Sequence, residues 1–586
     1  MADYNPNSLT PMRRLVRLLG QYRREIRLVV LYAVVIGAIN LTLPLGVQAL
    51  IGLIAGGSIS ASWGVLVLFI SIGALIVGLL RILQLSIMEY LQRRVFTDSA
   101  IEFAIRIPRL HLEPLRKEHL PEMVNRFFDT LTIQKGVPKI VIEGSTAALQ
   151  ILFSLLLLSF YHATFVLFSL LLLALVGLLF WWTAPSGLAS SLKESKQKYR
   201  LAYWLEEIGR VAATFKLAGD NRFPLLRADQ ITSDYLDARA KHWRILLIQF
   251  VSSVVFRVLI MGGFLILGSL LVMENQLNIG QFVASEILII FVVDSLEKLI
   301  LLHETGYDVL TAIEKIGQVA DLELEREDGI PVEDFCAGGP FSVELRNLSY
   351  TFPDRVKPVL NNLNLTIKGG ERVVVSGYNS SGKSTLMQVL SVLRRDFSGS
   401  LLFNGLPKQN INLRSLRNHI GDYSSQEELF KGSILENITI GQENIPMARV
   451  LQTIEAVGLS SFVRDQPAGI QTELLPGGKN LPGSIVSKMV VARAIVSDPN
   501  LVVMEEPTNS LDYRDRLRIS QLLTDKSQPW TLVAVTEDPV LAALCDRVIV
   551  LKDGEIVFDG NFDEVRKTEH FSKIFRTNAE FAGDND

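Results

Sequence analysis

Residues 377–384 read GYNSSGKS, and this stretch decides the fold of the half of the chain in which it lies. Lys383 supplies a point charge for β- and γ-phosphates, and Ser384 supplies a hydroxyl for Mg²⁺. Backbone N–H groups at the start of the following helix cradle phosphate oxygens. Gly377, Asn379, Ser380, Ser381, Gly382, Lys383, Ser384 and Thr385 are therefore the expected contacts to a nucleotide. The β-branched run at 372–376 is the strand feeding this loop, and 383–393 is the helix leaving it.

Downstream, 501–504 and 532–535 read as further buried strands, and Asp553-Gly554 as a hairpin turn between 548–552 and 555–558. From Phe341 onward short β-branched runs alternate with helical patterns, which indicates an α/β domain over 341–575 followed by a tail, 576–586. Residues 323–339 are acidic and contain Pro and Gly, so a linker is expected at 321–340.

Upstream the composition changes. The whole chain, 586 residues with 49% apolar and 20% charged, is long enough for two or three domains, and its net charge of −3 gives no reason to expect a nucleic-acid partner. Cys336 and Cys545 have no metal-ligand spacing and read as reduced thiols. Between Leu28 and Leu80 there is no Asp, Glu, Lys, Arg or His, which is room for two membrane-spanning helices and a turn at Gly56-Gly57-Ser58. A second hairpin, 144–192, turns near 161–164, and a third pairs 245–273 with 279–302 through the polar stretch 274–278. The expectation is a six-span helical membrane domain at 28–320. Arg13, Arg14, Arg17, Arg23, Arg24 and Arg27 precede the first span, whereas the short outer turns hold no Lys or Arg, so the N-terminus is expected on the cytoplasmic side. The apolar run is too long for a cleavable signal peptide. Within 1–27, Leu15, Leu19, Tyr22 and Ile26 recur at helical spacing, as in a helix lying on the membrane surface.

The stretches between spans two and three and between spans four and five are charged and helical in period, so the spans are expected to continue into the cytoplasm and turn near 112–119 and 217–223. Charges within spans usually face the bundle interior. Folding the third hairpin about residue 276 sets Arg257 level with 295, which makes Asp294 its expected partner in an ion pair or in the lining of a polar pathway; Glu286 and Glu297 lie in the same span. Asn40, Thr42, Gln48 and Gln249 are polar groups that line a cavity or join helices.

Further motifs follow the phosphate loop in a fixed order. Gln426 precedes LFKGSILENI (429–438); then come ELLPGGKNLPGSI (473–485), a helix carrying Ala492-Arg493-Ala494, and LVVMEEPTNSLD (501–512). This succession resembles the ATPase domain of ATP-binding cassette (ABC) transporters, and the six spans ahead of it resemble their exporter-type half-transporters. The resemblance covers nearly the whole chain and implies ATP and Mg²⁺ as cofactors and a dimer with a second half-transporter, in which two ATPase domains sandwich two nucleotides. It implies that Ser384 and Glu505 attend Mg²⁺, that Gln426 contacts Mg²⁺ or the attacking water and relays the nucleotide state to the membrane helices, that Glu506 polarises that water, and that Phe352, or else Tyr350, stacks on adenine. It also implies that Gly483 and Ser484 of the signature segment face the partner's nucleotide and that Asp512 closes the loop linking the two sites.

Several positions depart from that family's pattern. Its Mg²⁺-side Asp is Glu505 here, one methylene longer, and its switch His is Glu537, which removes a donor to the γ-phosphate and adds a like charge. The signature LSGGQ is LPGSI (481–485), where Pro482 has neither hydroxyl nor N–H to offer, although a helix tolerates proline in its first turn. Ser380 replaces a loop glycine. Glu505 and Glu537 would impair the site built on this chain's own loop, and Pro482 the opposite one. The expectation is an exporter subunit of a bacterial inner membrane that binds ATP, hydrolyses it slowly, and moves a peptide, lipid or drug-like substrate through the bilayer. The alternative is a membrane subunit whose ATP binding gates or regulates a partner. The segments IGQFVASEILI (279–289), LFKGSILENI and NLPGS look most like the type I secretion and bacteriocin-export branch. That branch often carries an N-terminal peptidase-like domain; about ten residues precede the surface helix here, so none is expected.

Overall fold

The computed structural model describes residues 10–55, 61–111, 120–336, 338–424 and 429–575. The expected turns at Gly56-Gly57-Ser58 and 112–119, Gln426 and the tail 576–586 lie outside the described residues. The chain divides into two compact units after Leu324.

Among its described residues the first unit is built of helices: α1 Pro11–Gln21, α2 Arg23–Asn40, α3 Thr42–Ala55, α4 Ala61–Arg106, α5 Leu120–Asn125, α6 Thr130–Tyr161, α7 Ala163–Arg210, α8 Ala212–Leu217, α9 Phe223–Met273 and α10 Ile279–Ala320. Five helical stretches among the described residues are long and apolar enough to cross a membrane, and α7 occupies the remaining expected position. Leu68, Phe69, Leu75 and Leu79 of α4 are exposed, the surface a bilayer would cover. The helices α4, α7, α9 and α10 contain 46, 48, 51 and 42 residues. At about 1.5 Å per residue each far exceeds a hydrocarbon core about 30 Å thick, so all four continue well beyond it. The outer turns fall where the polar residues place them, at His162 and at 274–278.

Small residues let these helices approach. A Cβ on Gly136 of α6 would lie 2.2 Å from Val309 Cγ2 of α10, and one on Gly37 of α2 would lie 2.5 Å from the Phe153 ring of α6. The polar residues singled out in the spans join helices: Asn40 donates to Gln150 at 2.9 Å, Gln249 donates to the Tyr307 hydroxyl at 3.0 Å, and Gln48 accepts from the Tyr161 hydroxyl.

Two expectations are corrected here. The apolar stripe of α1 is covered by protein rather than left for the membrane surface: Leu15, Leu18 and Leu19 pack on a cluster containing Tyr22, Leu91, Val95, Val309 and Ile313. Tyr22 donates to Asp98 at 3.0 Å, and Arg14 pairs with Glu314 and Asp321 on and just after α10. An amphipathic pattern specifies an apolar face but not what covers it. The second correction concerns Arg257, whose partner is Glu297 at 2.9 Å and not Asp294. Hairpin folding gives the level along a helix and leaves its rotation open. Val293, Leu296, Glu297 and Ile300 share the face of α10 beside Arg257, and Asp294 sits about 100° round from Val293.

The described residues of the second unit form twelve strands: β1 Val343–Tyr350, β2 Leu360–Ile367, β3 Arg372–Gly377, β4 Ser398–Phe403, β5 Leu406–Pro407, β6 Ile420–Tyr423, β7 Gly432–Ser433, β8 Glu473–Leu474, β9 Leu501–Glu505, β10 Thr531–Val535, β11 Arg547–Lys552 and β12 Glu555–Gly560. The main sheet runs β12-β11-β3-β10-β9-β6, with β6, β9, β10, β3 and β11 parallel. β3 and β10 are buried along their whole length, as near-continuous Val/Leu runs require. A smaller antiparallel sheet, β2-β1-β4-β5, flanks it. Arg372, 1% exposed, is tied by donation to the carbonyls of Trp530, Gly370, Asp525 and Gln528.

Candidate nucleotide site

In parallel α/β sheets ligands bind beyond the carboxyl ends of the strands. Three neighbouring strands end together here: β3 leads into the phosphate loop, β9 into Glu505 and Glu506, and β10 into Thr536 and Glu537. Residues far apart in sequence are thereby brought around Lys383.

The loop has the backbone such a cradle needs. Gly377 has φ +150° and a Cβ there would lie 2.2 Å from the Leu551 carbonyl; Gly382, φ +98°, would put one 2.7 Å from the Val359 carbonyl. Ser380 keeps the left-handed conformation, φ +62°, although it is not glycine. Asn379 and Ser380 are exposed, Thr385 is buried, and Ser381 Oγ is buried with no hydrogen-bond partner among the described residues. A buried hydroxyl left without a partner beside a row of loop amides fits a phosphate oxygen. The helix Lys383–Leu390 starts directly after Gly382.

Lys383 folds back onto its own loop, donating to the carbonyls of Gly377 at 2.6 Å and Tyr378 at 3.1 Å, with Glu537 Oε1 at 3.9 Å. Burial holds its pKa below the usual lysine value, and Glu537, Glu506 and Glu505, in that order, pull it back up. The Ser384 hydroxyl donates to the Glu505 carboxylate. Hydroxyl and carboxylate oxygens already in contact are the hard donors Mg²⁺ takes together with nucleotide phosphates, so the residues fit that ion. Among the described residues no group of three His, Cys, Asp or Glu side chains could hold a metal ion.

Glu506 sits at φ +51°, a conformation rarely adopted outside glycine and common at functional sites. Its carboxylate accepts from the Thr536 hydroxyl and from the Glu537 backbone N–H, both at 3.2 Å. Thr536 Oγ in turn accepts from the Asp538 N–H at 3.0 Å, while Asp538 accepts from Thr508 at 2.8 Å and faces Arg516 at 3.7 Å. Sequence reasoning missed Thr536 and Asp538. Their only signal is position, immediately beyond a buried strand that ends beside the phosphate loop.

Asp512 caps the helix Tyr513–Thr524 by accepting from Asp515 N–H at 2.9 Å. Pro482 stands just before the helix Gly483–Ile495, so the altered signature does start a helix. A Cβ on Gly483 would lie 3.8 Å from Ser510 Cβ, which sets the signature start beside the loop ending at Asp512. Ser484 is half-buried on the first turn of that helix. Phe352 is 9% exposed, with Tyr350 edge-on at 5.0 Å and the Arg394 guanidinium 4.7 Å from its ring centre.

Comparison with known proteins agrees with this geometry. The ABC transporter family model matches residues 360–509. The chain is 24% identical over 570 residues to the transport/processing ATP-binding protein ComA of Streptococcus pneumoniae, covering 95% of this chain and 78% of that protein. It is 24% identical over 581 residues to the ATP-dependent lipid A-core flippase of Burkholderia orbicola, covering 95% and 94%. A bacterial Atm1-family ABC exporter solved with ATP bound superposes with a TM-score of 0.84 over 96% of this chain and all of that one, at 18% identity. With the ABC transporter match around the phosphate loop, relatives along nearly the whole length and this shared architecture, the chain carries an ABC transporter domain at 360–509 and has the fold of an ABC exporter.

Proposed function

We propose that the chain is a subunit of an ABC exporter in a bacterial inner membrane, with its N-terminus and ATPase domain in the cytoplasm, working as a dimer with a second half-transporter. The observation that carries this reading is a phosphate loop with its converging acidic residues, joined in one chain to helices long and apolar enough to cross a bilayer. A peptide or lipid substrate is supported by the relatives, one named for transport and processing and one for flipping lipid A-core.

ATP would lie on the loop from Gly377 to Thr385, with Lys383 at the β- and γ-phosphates. Mg²⁺ would be held by Ser384, Glu505 and Gln426, and would supply positive charge to neutralise the phosphates. Glu506, held by Thr536 and the Glu537 N–H, would accept the proton of the attacking water; Phe352 would support the adenine. Gly483, Ser484 and Asp512 would serve the site shared with the second half-transporter.

We further infer that hydrolysis is slow. Glu505, Glu506 and Glu537 all act on the Lys383 ammonium, which is already satisfied by two carbonyls. A triphosphate must win Lys383 from these partners while approaching three carboxylates, and phosphoryl transfer depends mainly on charge stabilisation and positioning. The test is nucleotide binding and flux with the full chain reconstituted in lipid vesicles. MgATP should bind the unsubstituted chain and not Lys383→Ala, and ATP should drive movement of a labelled peptide or phospholipid. Equal binding by both proteins would end the ATP-binding reading, and binding with no flux would favour a gating subunit.

A further inference from the structure

The membrane unit holds a half-open cavity of about 580 Å³ between α2, α4, α6 and α10 that the nucleotide chemistry does not use. Its volume lies in the range of small-molecule sites, about 300–1,000 Å³. Arg81 of α4, Glu143 of α6, and Asp294 and Lys298 of α10 are in its wall. None of the four makes a hydrogen bond or ion pair among the described residues. The wall thus holds two cations and two anions that have not paired with one another, with Arg81, Asp294 and Lys298 exposed to the opening and Glu143 half-buried, and charges on membrane-spanning helices normally serve a pathway or a ligand.

Deeper polar groups are also unsatisfied. Gln150 is 7% exposed; its Oε1 accepts from Asn40, which fixes the amide, and its Nε2 is buried with no partner. Thr146 Oγ is buried in the same wall and likewise has no partner. Leu85, Met88 and Phe291 supply the apolar remainder.

We propose that this cavity binds a zwitterionic solute: an ammonium group held by Glu143 and Asp294, and a carboxylate or phosphate held by Arg81 and Lys298. Gln150 Nε2 and Thr146 Oγ donate to an uncharged acceptor between them. A purely anionic ligand would face two carboxylates, a purely cationic one would face Arg81 and Lys298, and an apolar one would desolvate all four. The proposal rests on the reading of the chain as an exporter subunit and names the chemical class of its cargo.

The test is calorimetric titration of the full chain in a neutral maltoside detergent. The probes are tetraalanine and lysophosphatidylethanolamine, each beside a counterpart lacking one charge: N-acetyl-tetraalanine, tetraalanine amide and lysophosphatidylglycerol. At least one zwitterion should bind, and loss of either of its charges should weaken binding by about tenfold or more. Which zwitterion binds assigns the ligand as peptide-like or lipid-like. Glu143→Gln and Arg81→Gln should each weaken that binding by about tenfold, with MgATP binding by the same preparations unchanged as the control for folding. If a variant loses MgATP as well, the charge-deleted probes on the unsubstituted chain decide. Binding of neither zwitterion, or equal binding of the charge-deleted counterparts, overturns the proposal. Either result obtained with MgATP still bound leaves the nucleotide reading intact.

Discussion

Replacing Glu537 with Gln isolates the charge that most distinguishes this site. Glu537 Oε1 lies 3.9 Å from Lys383 Nζ, and both side chains are largely buried, at 23% and 14% exposure. Opposite charges at that separation attract by about 1 kcal/mol in water and about 4 kcal/mol at an effective dielectric of 20. The same carboxylate would repel the γ-phosphate at a similar range. The substitution keeps the Glu537 N–H that holds Glu506, since that donor is backbone. MgATP affinity should therefore rise by at least about fivefold, the equivalent of the 1 kcal/mol lower bound, and by more at low salt. The assay is equilibrium binding of a fluorescent ATP analogue to the full chain, at two ionic strengths, with Lys383→Ala as the blank. Unchanged or weaker binding by Glu537→Gln would refute the inference that this carboxylate opposes the nucleotide.

Three further outcomes follow from the geometry. Burial lowers the Lys383 pKa, so its charge is lost at a pH below that of an ordinary lysine. MgATP affinity should fall with rising pH before 10.5 is reached, and Glu537→Gln, which removes the largest opposing influence, should move that fall to lower pH; a binding profile between pH 7 and 10 checks both. Burial pushes the Cys545 thiol up to about 12, whereas Cys336 is half-exposed and donates to the Gly339 carbonyl at 3.4 Å. Iodoacetamide at pH 8 should label Cys336 and spare Cys545 until the domain unfolds, as peptide mass mapping would show. In a double-mutant cycle on thermal stability in lipid, Arg257→Gln and Glu297→Gln should couple by about 0.6 kcal/mol, the scale of interhelical polar pairs in membranes, while Asp294→Asn should not couple to Arg257.

What the sequence discloses depends on the range of the physics involved. The loop GYNSSGKS, the strands on either side of it and the outer turns at His162 and 274–278 are specified by neighbouring residues, so local pattern suffices to find them. Glu505 and Glu537 are legible as departures from a family pattern, and their convergence on Lys383 and Ser384 needs the order of β3, β10 and β9. The partner of Arg257 needs the rotation of α10, which counting residues along a hairpin does not give. The fate of the α1 stripe needs the bundle that covers it. Thr536 and Asp538 carry no motif, and only the hydrogen bonds to Glu506 and from Thr508 reveal them. The charged cavity is legible only in part: the sequence offers Asp294 and Asn40 singly, and Arg81, Glu143 and Lys298 join them only once four helices are packed.

The measurement that bears most directly on the central claim is ATP turnover by the full chain in lipid, taken beside ATP binding on the same preparation. Enzymes commonly turn over at about 1–1,000 per second. The account predicts stoichiometric MgATP binding with turnover below about 0.1 per second, and a gain of at least about tenfold when Glu505→Asp, Glu537→His and an LSGGQ signature at 481–485 are combined. Brisk turnover by the unsubstituted chain, abolished by Lys383→Ala and by Glu506→Gln, would contradict it.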